Sequence, residues 1–185
     1  MYSLSVPKEN KQDTKQNINT EMQRLMDTYG NDVLRTAYMF LKDVHKSEDA
    51  FQEVFIKVYK KYAGFKGESS EKTWIIRITI NVCKDMLRSS WLKRVLVTDK
   101  FKEQAAAPDI AGRIIRKDEN RLLFDEVMSL PESYREAVIL FYYHGFDTKE
   151  AGQMLNVAEG TVRSRLHRAR EMLKERLEGR LDTDE

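Results

Sequence analysis

Between Arg163 and Arg170 the chain carries four arginines (163, 165, 168 and 170) and no acid, with Ser164 and His167 among them. Such side chains donate hydrogen bonds to base edges and phosphates, which is the chemistry of duplex DNA recognition. On a helical wheel of about 100° per residue, Arg163, Ser164, His167 and Arg168 fill one arc and Val162, Leu166, Ala169 and Leu173 fill the opposite one. One arc packs and the other is free to read, with Arg165 and Arg170 flanking it where phosphates would lie. A merely solvated basic helix would share this composition, so the residues just upstream decide the matter. Asp147 can cap a short helix and Glu150, three residues on, can complete a capping box. Gly152 is a small residue where a partner helix could cross closely, and Asn156 tolerates the left-handed conformation of a tight turn. The segment 147–170 is predicted to be a helix-turn-helix.

A second candidate lies on the helix predicted from about Thr73 to Ser90. Ile75, Ile76, Ile78, Thr79, Ile80, Val82, Cys83, Met86 and Leu87 form its broad apolar face, and the narrow opposite stripe holds Trp74, Arg77, Asn81, Lys84, Asp85 and Arg88. A tryptophan beside an amide and cations is a stacking platform in outline, since stacking on an aromatic ring contributes about 1–3 kcal/mol per base. The alternative is that Trp74 tucks under the preceding polar loop, Phe65 to Lys72, and the residues by themselves lean that way. A third feature is the helix predicted from Ser47, as N-cap, to about Ala63. Ala50, Phe51, Val54, Phe55, Val58 and Tyr62 share its inner face, whereas Asp49, Gln52, Glu53 and Lys60 share the outer one, with the apolar Ile56 among them. Ile56 reads equally as a docking residue or as a stray exposed apolar side chain.

Composition bounds what these features can serve. The 185 residues are 41% hydrophobic and 34% charged, which describes a folded, soluble, mainly helical chain. Net charge is only +2, so nucleic-acid binding must come from local patches. A single cysteine, Cys83, excludes an intrachain disulfide, and the three histidines (45, 144 and 167) have no zinc-site spacing. No catalytic residue, metal site or cofactor is predicted: paired carboxylates, a phosphate-cradling glycine loop and a nucleophile motif are all missing. The first residues lack the apolar core of a signal peptide and no apolar run reaches membrane-spanning length, so the expected location is cytoplasmic.

The elements around these features are read from helical periodicity and punctuation. Residues 1–18 are expected to form a polar, disordered tail. A helix should run from about Thr20 to Leu41 with a break or kink near Gly30, followed by a connector from Asp43 to Lys46. Residues 91–117 should be a flexible linker, with its small-residue run Ala105 to Ala107 followed by Pro108 and Gly112. A second domain, 118–180, should open with a helix marked by Leu122, Leu123, Val127, Met128 and Leu130. Pro131 would then start the next helix from its first turn, and Gly145 would end it. The fold class is all-α: two small helical domains on one linker.

Four stretches, 47–59, 65–88, 130–146 and 150–170, resemble RNA polymerase sigma factors of the extracytoplasmic-function group, in the family's order and spacing. The fit is to members with only the second and fourth sigma regions, here 19–90 and 118–180. The resemblance implies a promoter-specificity subunit that initiates transcription of a stress-type regulon, with core RNA polymerase and promoter DNA as partners and no small-molecule substrate. By the same resemblance Asp49, Gln52, Glu53 and Ile56 dock on polymerase. Phe65, Lys66, Gly67, Trp74, Arg77 and Asn81 capture bases of the minus-ten element, and Arg163, Ser164, Arg165, His167 and Arg168 read the minus-35 element. It further implies a membrane-associated anti-sigma factor. Two departures stand out: Ala158 occupies a position where such helices usually start with Ser or Thr, and Glu71 and Lys72 fall where the family's loop varies freely. Two other classes remain: a free-standing helix-turn-helix regulator, whose first domain would sense a ligand or form a dimer and which would bind duplex DNA alone and footprint a palindrome, and an enzyme, for which no site is apparent.

Overall fold

The computed structural model describes residues 11–96 and 121–181, and every element among them is helical. The helices are α1 (Lys11–Leu41), α2 (Val44–Tyr62), α3 (Glu71–Leu96), α4 (Arg121–Ser129), α5 (Glu132–Val138, continuing as a π-turn through Ile139–Tyr143), α6 (Thr148–Leu155) and α7 (Glu159–Leu181). The first three pack on one another; α4 to α7 form a second group around α7. Residues 97–120, most of the expected linker, lie outside the described residues, as do 1–10 of the expected tail.

Several boundaries differ from the sequence reading for identifiable reasons. Helix α1 starts at Lys11, inside the stretch expected to be a tail, and runs through Gly30 without a break. A Cβ at Gly30 would lie 3.3 Å from the Phe51 ring, so this glycine serves close approach of α2. Helix α2 starts at Val44, with Asp43 as N-cap accepting from the Lys46 N–H. Ser47 is buried one turn inside the helix, its hydroxyl donating to the Asp43 carbonyl. Both residues are chemically able caps, and burial of Ser47 decides between them. Helix α3 continues to Leu96, past the expected end at Ser90 and into the predicted linker. Pro131 is the N-cap of α5 rather than a first-turn residue, its carbonyl accepting from the N–H groups of Tyr134 and Arg135.

The two groups of helices share one continuous apolar core, from Met22 and Leu25 in α1 to Leu166 and Ala169 in α7. Cys83 is fully buried in it, and burial pushes its thiol up to about 12, leaving it an inert small hydrophobe. Polar side chains also cross between the groups. Arg135, only 5% exposed, donates through Nε to the Met39 carbonyl near the end of α1 (2.9 Å) and through a terminal nitrogen to the Leu130 carbonyl (3.0 Å). Lys84 of α3 donates to the Leu155 and Met154 carbonyls at the end of α6 (3.1 and 3.4 Å). His144 lies against Thr36 of α1, with Nε2 2.8 Å from the hydroxyl. That hydroxyl donates to the Asp32 carbonyl, so the imidazole is the donor and its Nδ1 carries the lone pair, with no partner.

Burial lowers the His144 pKa from 6.5 to about 4. Between those values the unfolded chain binds a proton that the folded chain refuses, so this histidine's contribution is full above pH 6.5 and is lost as pH falls toward 4. Glu136, buried and held above the usual carboxylate range, acts in the opposite sense, so the effect is best isolated by comparison. Relative to His144→Gln, which keeps a donor but does not titrate, the wild-type chain should lose about 2 kcal/mol of stability between pH 7.5 and pH 5. Urea unfolding of both proteins at the two pH values reads this directly.

Candidate nucleic-acid interface

Local chemistry builds the helix-turn-helix. Asp147 accepts from the Glu150 N–H (2.7 Å) while Glu150 accepts from the Asp147 N–H (3.1 Å), the capping box anticipated from the sequence. Asn156 closes α6 in the left-handed conformation, at φ 57° and ψ 47°. Gly152 is needed for a different contact than a crossing helix: a Cβ there would meet the Val157 carbonyl at 2.9 Å, so the turn itself folds back onto α6. The Val157 N–H donates to the Gly152 carbonyl and fixes that fold-back. Ala158 offers no capping oxygen. The entry to α7 is secured instead by Glu159, which accepts from the Thr148 hydroxyl of α6 (2.8 Å) and from Arg163; these hydrogen bonds hold its carboxyl below the usual range.

Helix α7 divides as the wheel predicts. Val162, Leu166 and Ala169 are buried. The side chains of Arg163, His167 and Arg168 are 67%, 70% and 66% exposed on the opposite arc, and Ser164 is exposed beside them. Each of the three side chains leans on an acid of the same helix: Arg163 on Glu159, and His167 and Arg168 on Glu171 at 3.3 and 3.0 Å. Exposed pairs of this kind contribute about 0.2–1 kcal/mol, whereas a bidentate arginine–base contact contributes about 1–3 kcal/mol. Duplex DNA can therefore displace them, and the acids set resting positions without locking them. Arg170 donates to the Tyr142 hydroxyl (2.7 Å) on the π-turn, and Arg165 is half-buried near Lys84 and Glu136, at the flank of the arc.

In the first group of helices the predicted loop is anchored by residues whose partners lie far away in sequence. Arg24 grips Glu71 with two hydrogen bonds (2.6 and 3.1 Å) and also binds Glu21. The Tyr62 and Tyr29 hydroxyls donate to the same Glu71 carboxylate, and the Arg24 bonds above all hold its pKa down. Glu71, placed in the loop by the sequence, is the first residue of α3, tethered there by Arg24, Tyr29 and Tyr62. Ser70 receives the Thr73 N–H (3.0 Å), and Gly67 takes φ +71°, which lets the loop turn. Trp74 takes the tucked position: its ring lies 4.8 Å from Phe65 of the loop and 6.3 Å from Tyr62, partly buried. Lys66, Gly67, Arg77 and Asn81 are exposed around this aromatic cluster, while Lys84 turns away from the stripe to the end of α6.

On α2 the outward face is exposed as drawn, with Asp49, Gln52 and Glu53 in solvent and Ile56 48% exposed among them. Ile56 is thus not a core residue. Asp49 and Glu53 border an open groove of about 450 Å³ against Asp85 and Met86 of α3. Among the described residues no cluster of His, Cys, Asp and Glu could hold a metal ion, and no helix is long and apolar enough to cross a membrane.

This geometry agrees with what the chain is similar to. A family model for sigma-70 region 2 matches residues 25–93, and one for sigma-70 region 4 matches residues 121–173. The chain is 31% identical over 166 residues to the ECF RNA polymerase sigma-E factor of Haemophilus influenzae, covering 83% of this chain and 86% of that protein. It is 32% identical over 160 residues to the RNA polymerase sigma-H factor of Pseudomonas aeruginosa, covering 81% and 82%. Among solved structures, the sigma factor RpoE of Bartonella quintana, crystallised with the anti-sigma factor NepR, matches with a TM-score of 0.68 at 24% identity, over 85% of this chain and 97% of that one. The chain belongs to the sigma-70 family, in its extracytoplasmic-function group. It is a promoter-specificity subunit of RNA polymerase, a transcription initiation factor and not an enzyme.

Two glycines test how the helix-turn-helix is built. Gly152→Ala forces a methyl group against backbone and should cost about 1–3 kcal/mol. Gly160→Ala, where nothing lies within 4 Å, should instead stabilise α7 by about 0.5–1 kcal/mol. Denaturant midpoints of the two variants should move in opposite directions.

Proposed function

We propose that α7 reads the minus-35 element in the major groove through Arg163, Ser164, His167 and Arg168, with Arg165 on the flanking phosphates. The carrying observation is the division of that helix into a buried apolar stripe and an exposed arc of donors, with Arg163 and Arg168 each leaning on a surface acid. Bases of the minus-ten element are captured by the loop and the start of α3, through Phe65, Lys66, Gly67, Trp74, Arg77 and Asn81. The partly exposed Trp74–Phe65 pair supports a stacking platform that needs little rearrangement to receive a base. The α2 face of Asp49, Gln52, Glu53 and Ile56 docks on core polymerase. On this reading residues 19–90 and 118–180 are the two functional units, with 91–117 between them.

Two weak readers on one chain become a specific pair once polymerase holds both, because the second contact is then effectively intramolecular. Opening DNA costs about 1.4 kcal/mol per base-pair step. Stacking returns about 1–3 kcal/mol per captured base, so this chain can offset one or two steps and polymerase must supply the rest. The regulon is of the stress type, and the protein acts in the cytoplasm under a membrane-associated anti-sigma factor. The solved sigma factor RpoE of Bartonella quintana, crystallised with the anti-sigma factor NepR, supports the partner.

The reading is tested by adding the purified chain to core polymerase on genomic DNA and sequencing the transcripts: their upstream regions should share two motifs, and a failure to bind polymerase or to give promoter-dependent transcripts overturns it. Arg168→Ala should cost about 1–3 kcal/mol in promoter binding and relax preference at one minus-35 position. A loss uniform across all sequences in a panel of minus-35 variants would assign Arg168 to phosphate instead. Ile56→Glu should weaken polymerase binding at least about tenfold while leaving far-ultraviolet circular dichroism unchanged.

A further inference from the structure

Residues 63–70 run between Tyr62, the last residue of α2, and Glu71, the first of α3, and these two flanking residues are fastened both to each other and to α1. Arg24 of α1 uses all three guanidinium nitrogens here: Nε donates to Glu21 (2.9 Å) and the two terminal nitrogens grip the Glu71 carboxylate. The Tyr62 hydroxyl lies between the Glu21 and Glu71 carboxylates, at 3.2 and 3.3 Å, and the Tyr29 hydroxyl reaches Glu71 from α1 at 3.4 Å. One residue on, Lys72 pairs with Asp32 of α1 at 3.1 Å. Turning α3 so that Lys72 faced Arg24 would bring like charges together, so the two pairs fix the rotation of its first turn.

Each ring of the aromatic pair sits one turn beyond a clamped residue. Phe65 follows Tyr62, and its N–H donates to the Tyr62 carbonyl (3.0 Å). Trp74 follows Glu71 in the same way, with its N–H on the Ser70 carbonyl (3.0 Å). The Phe65 and Trp74 rings are 4.8 Å apart, and the Tyr62 ring lies 6.4 and 6.3 Å from them. The spacing of the two rings is therefore set by the spacing of Tyr62 and Glu71 at the neck of the loop. The fold does not need this clamp, because Leu25, Val54, Val58, Ile75 and Ile76 already join the three helices in full burial. The Arg24 side chain is 44% exposed, and ion pairs so open to water add little to stability. A two-pronged arginine grip nevertheless fixes geometry as well as charge.

We propose that Arg24 and Glu71, with the Tyr62 hydroxyl, are positioning residues for capture of a minus-ten base: without touching DNA, they keep the neck of loop 63–70 closed and so hold Phe65 and Trp74 at the spacing on which the base stacks. The proposal rests on the minus-ten reading given above. A neck closed in advance removes the ordering of the loop from the binding step, which is how remote groups raise affinity without a contact of their own.

Arg24→Gln, Glu71→Gln and their double variant test this. Arg24→Lys, which keeps the charge but not the fork, and Tyr62→Phe, which keeps the ring but not the hydroxyl, are the conservative comparisons. In the free chain, with Trp91→Phe leaving Trp74 the only tryptophan, emission should shift to the red in each glutamine variant at unchanged far-ultraviolet circular dichroism. With core polymerase bound, a fluorescent single strand carrying the non-template minus-ten sequence recovered from the transcripts should bind each glutamine variant about tenfold more weakly than wild type. Affinity for polymerase itself should not change. The double variant should be no weaker than either single one, since each removes the same contact, and the two conservative variants should fall between. Unshifted Trp74 emission, a loss of strand binding matched by a loss of polymerase binding, or additive losses in the double variant overturns the proposal. A wild-type holoenzyme that does not bind the strand overturns the minus-ten reading and the proposal with it, whereas equal binding by wild type and every variant overturns the proposal alone.

Discussion

Val162, Leu166 and Ala169 are withdrawn from water on one stripe of α7, and most of what the second half of the chain does depends on that burial. Helices as short as the eight-residue α6 are not stable in isolation. They persist because the α7 stripe gives them a surface to cover, each large apolar side chain contributing about 1.5–3 kcal/mol. The same burial fixes the rotation of α7 about its own axis, and so determines which side chains face out. The exposed arc is a consequence of the hidden one, and its side chains need no positioning device beyond their spacing in the sequence.

In the first half the corresponding constraint is electrostatic. The loop 65–70 has little apolar content, and its geometry is taken from its two ends: the aromatic stack of Tyr62, Phe65 and Trp74 on one side, and the grip of Arg24 on Glu71 on the other. Tyr62 takes part in both, through its ring and through its hydroxyl. A loop held this way can present exposed Lys66 and Gly67 to a ligand without first having to be ordered.

What was legible in the sequence follows from how local each interaction is. Asp147, Glu150 and Asn156 act on backbone within a turn of themselves, so residue type and spacing were enough. The division of α2 and α7 into faces was legible because helical period alone determines it. Asp43 and Ser47 could each have capped α2, and only packing against other helices chose between them. Trp74 was ambiguous in the same way, since its partner Phe65 sits in a loop whose path has no periodicity to read. Arg24 with Glu71, Lys84 with Leu155, Arg135 with Met39 and Thr36 with His144 are separated by 47, 71, 96 and 108 residues. A charged side chain in sequence reads as surface by default, and no local signal distinguished these from their solvated neighbours.

The π-turn at Ile139–Tyr143 was also invisible to periodicity, and it concerns register. One extra residue in a helical turn advances every later side chain by about 100°. Across this turn the chain sends Tyr142 outward to Arg170 on α7 and His144 inward to Thr36 of the other domain. The orientation of each domain toward the other is thus coupled to the length of the chain at this one turn. Among relatives, a single-codon insertion or deletion there would turn one half against the other while leaving the composition of both untouched, a change that a residue-by-residue comparison of side chains passes over.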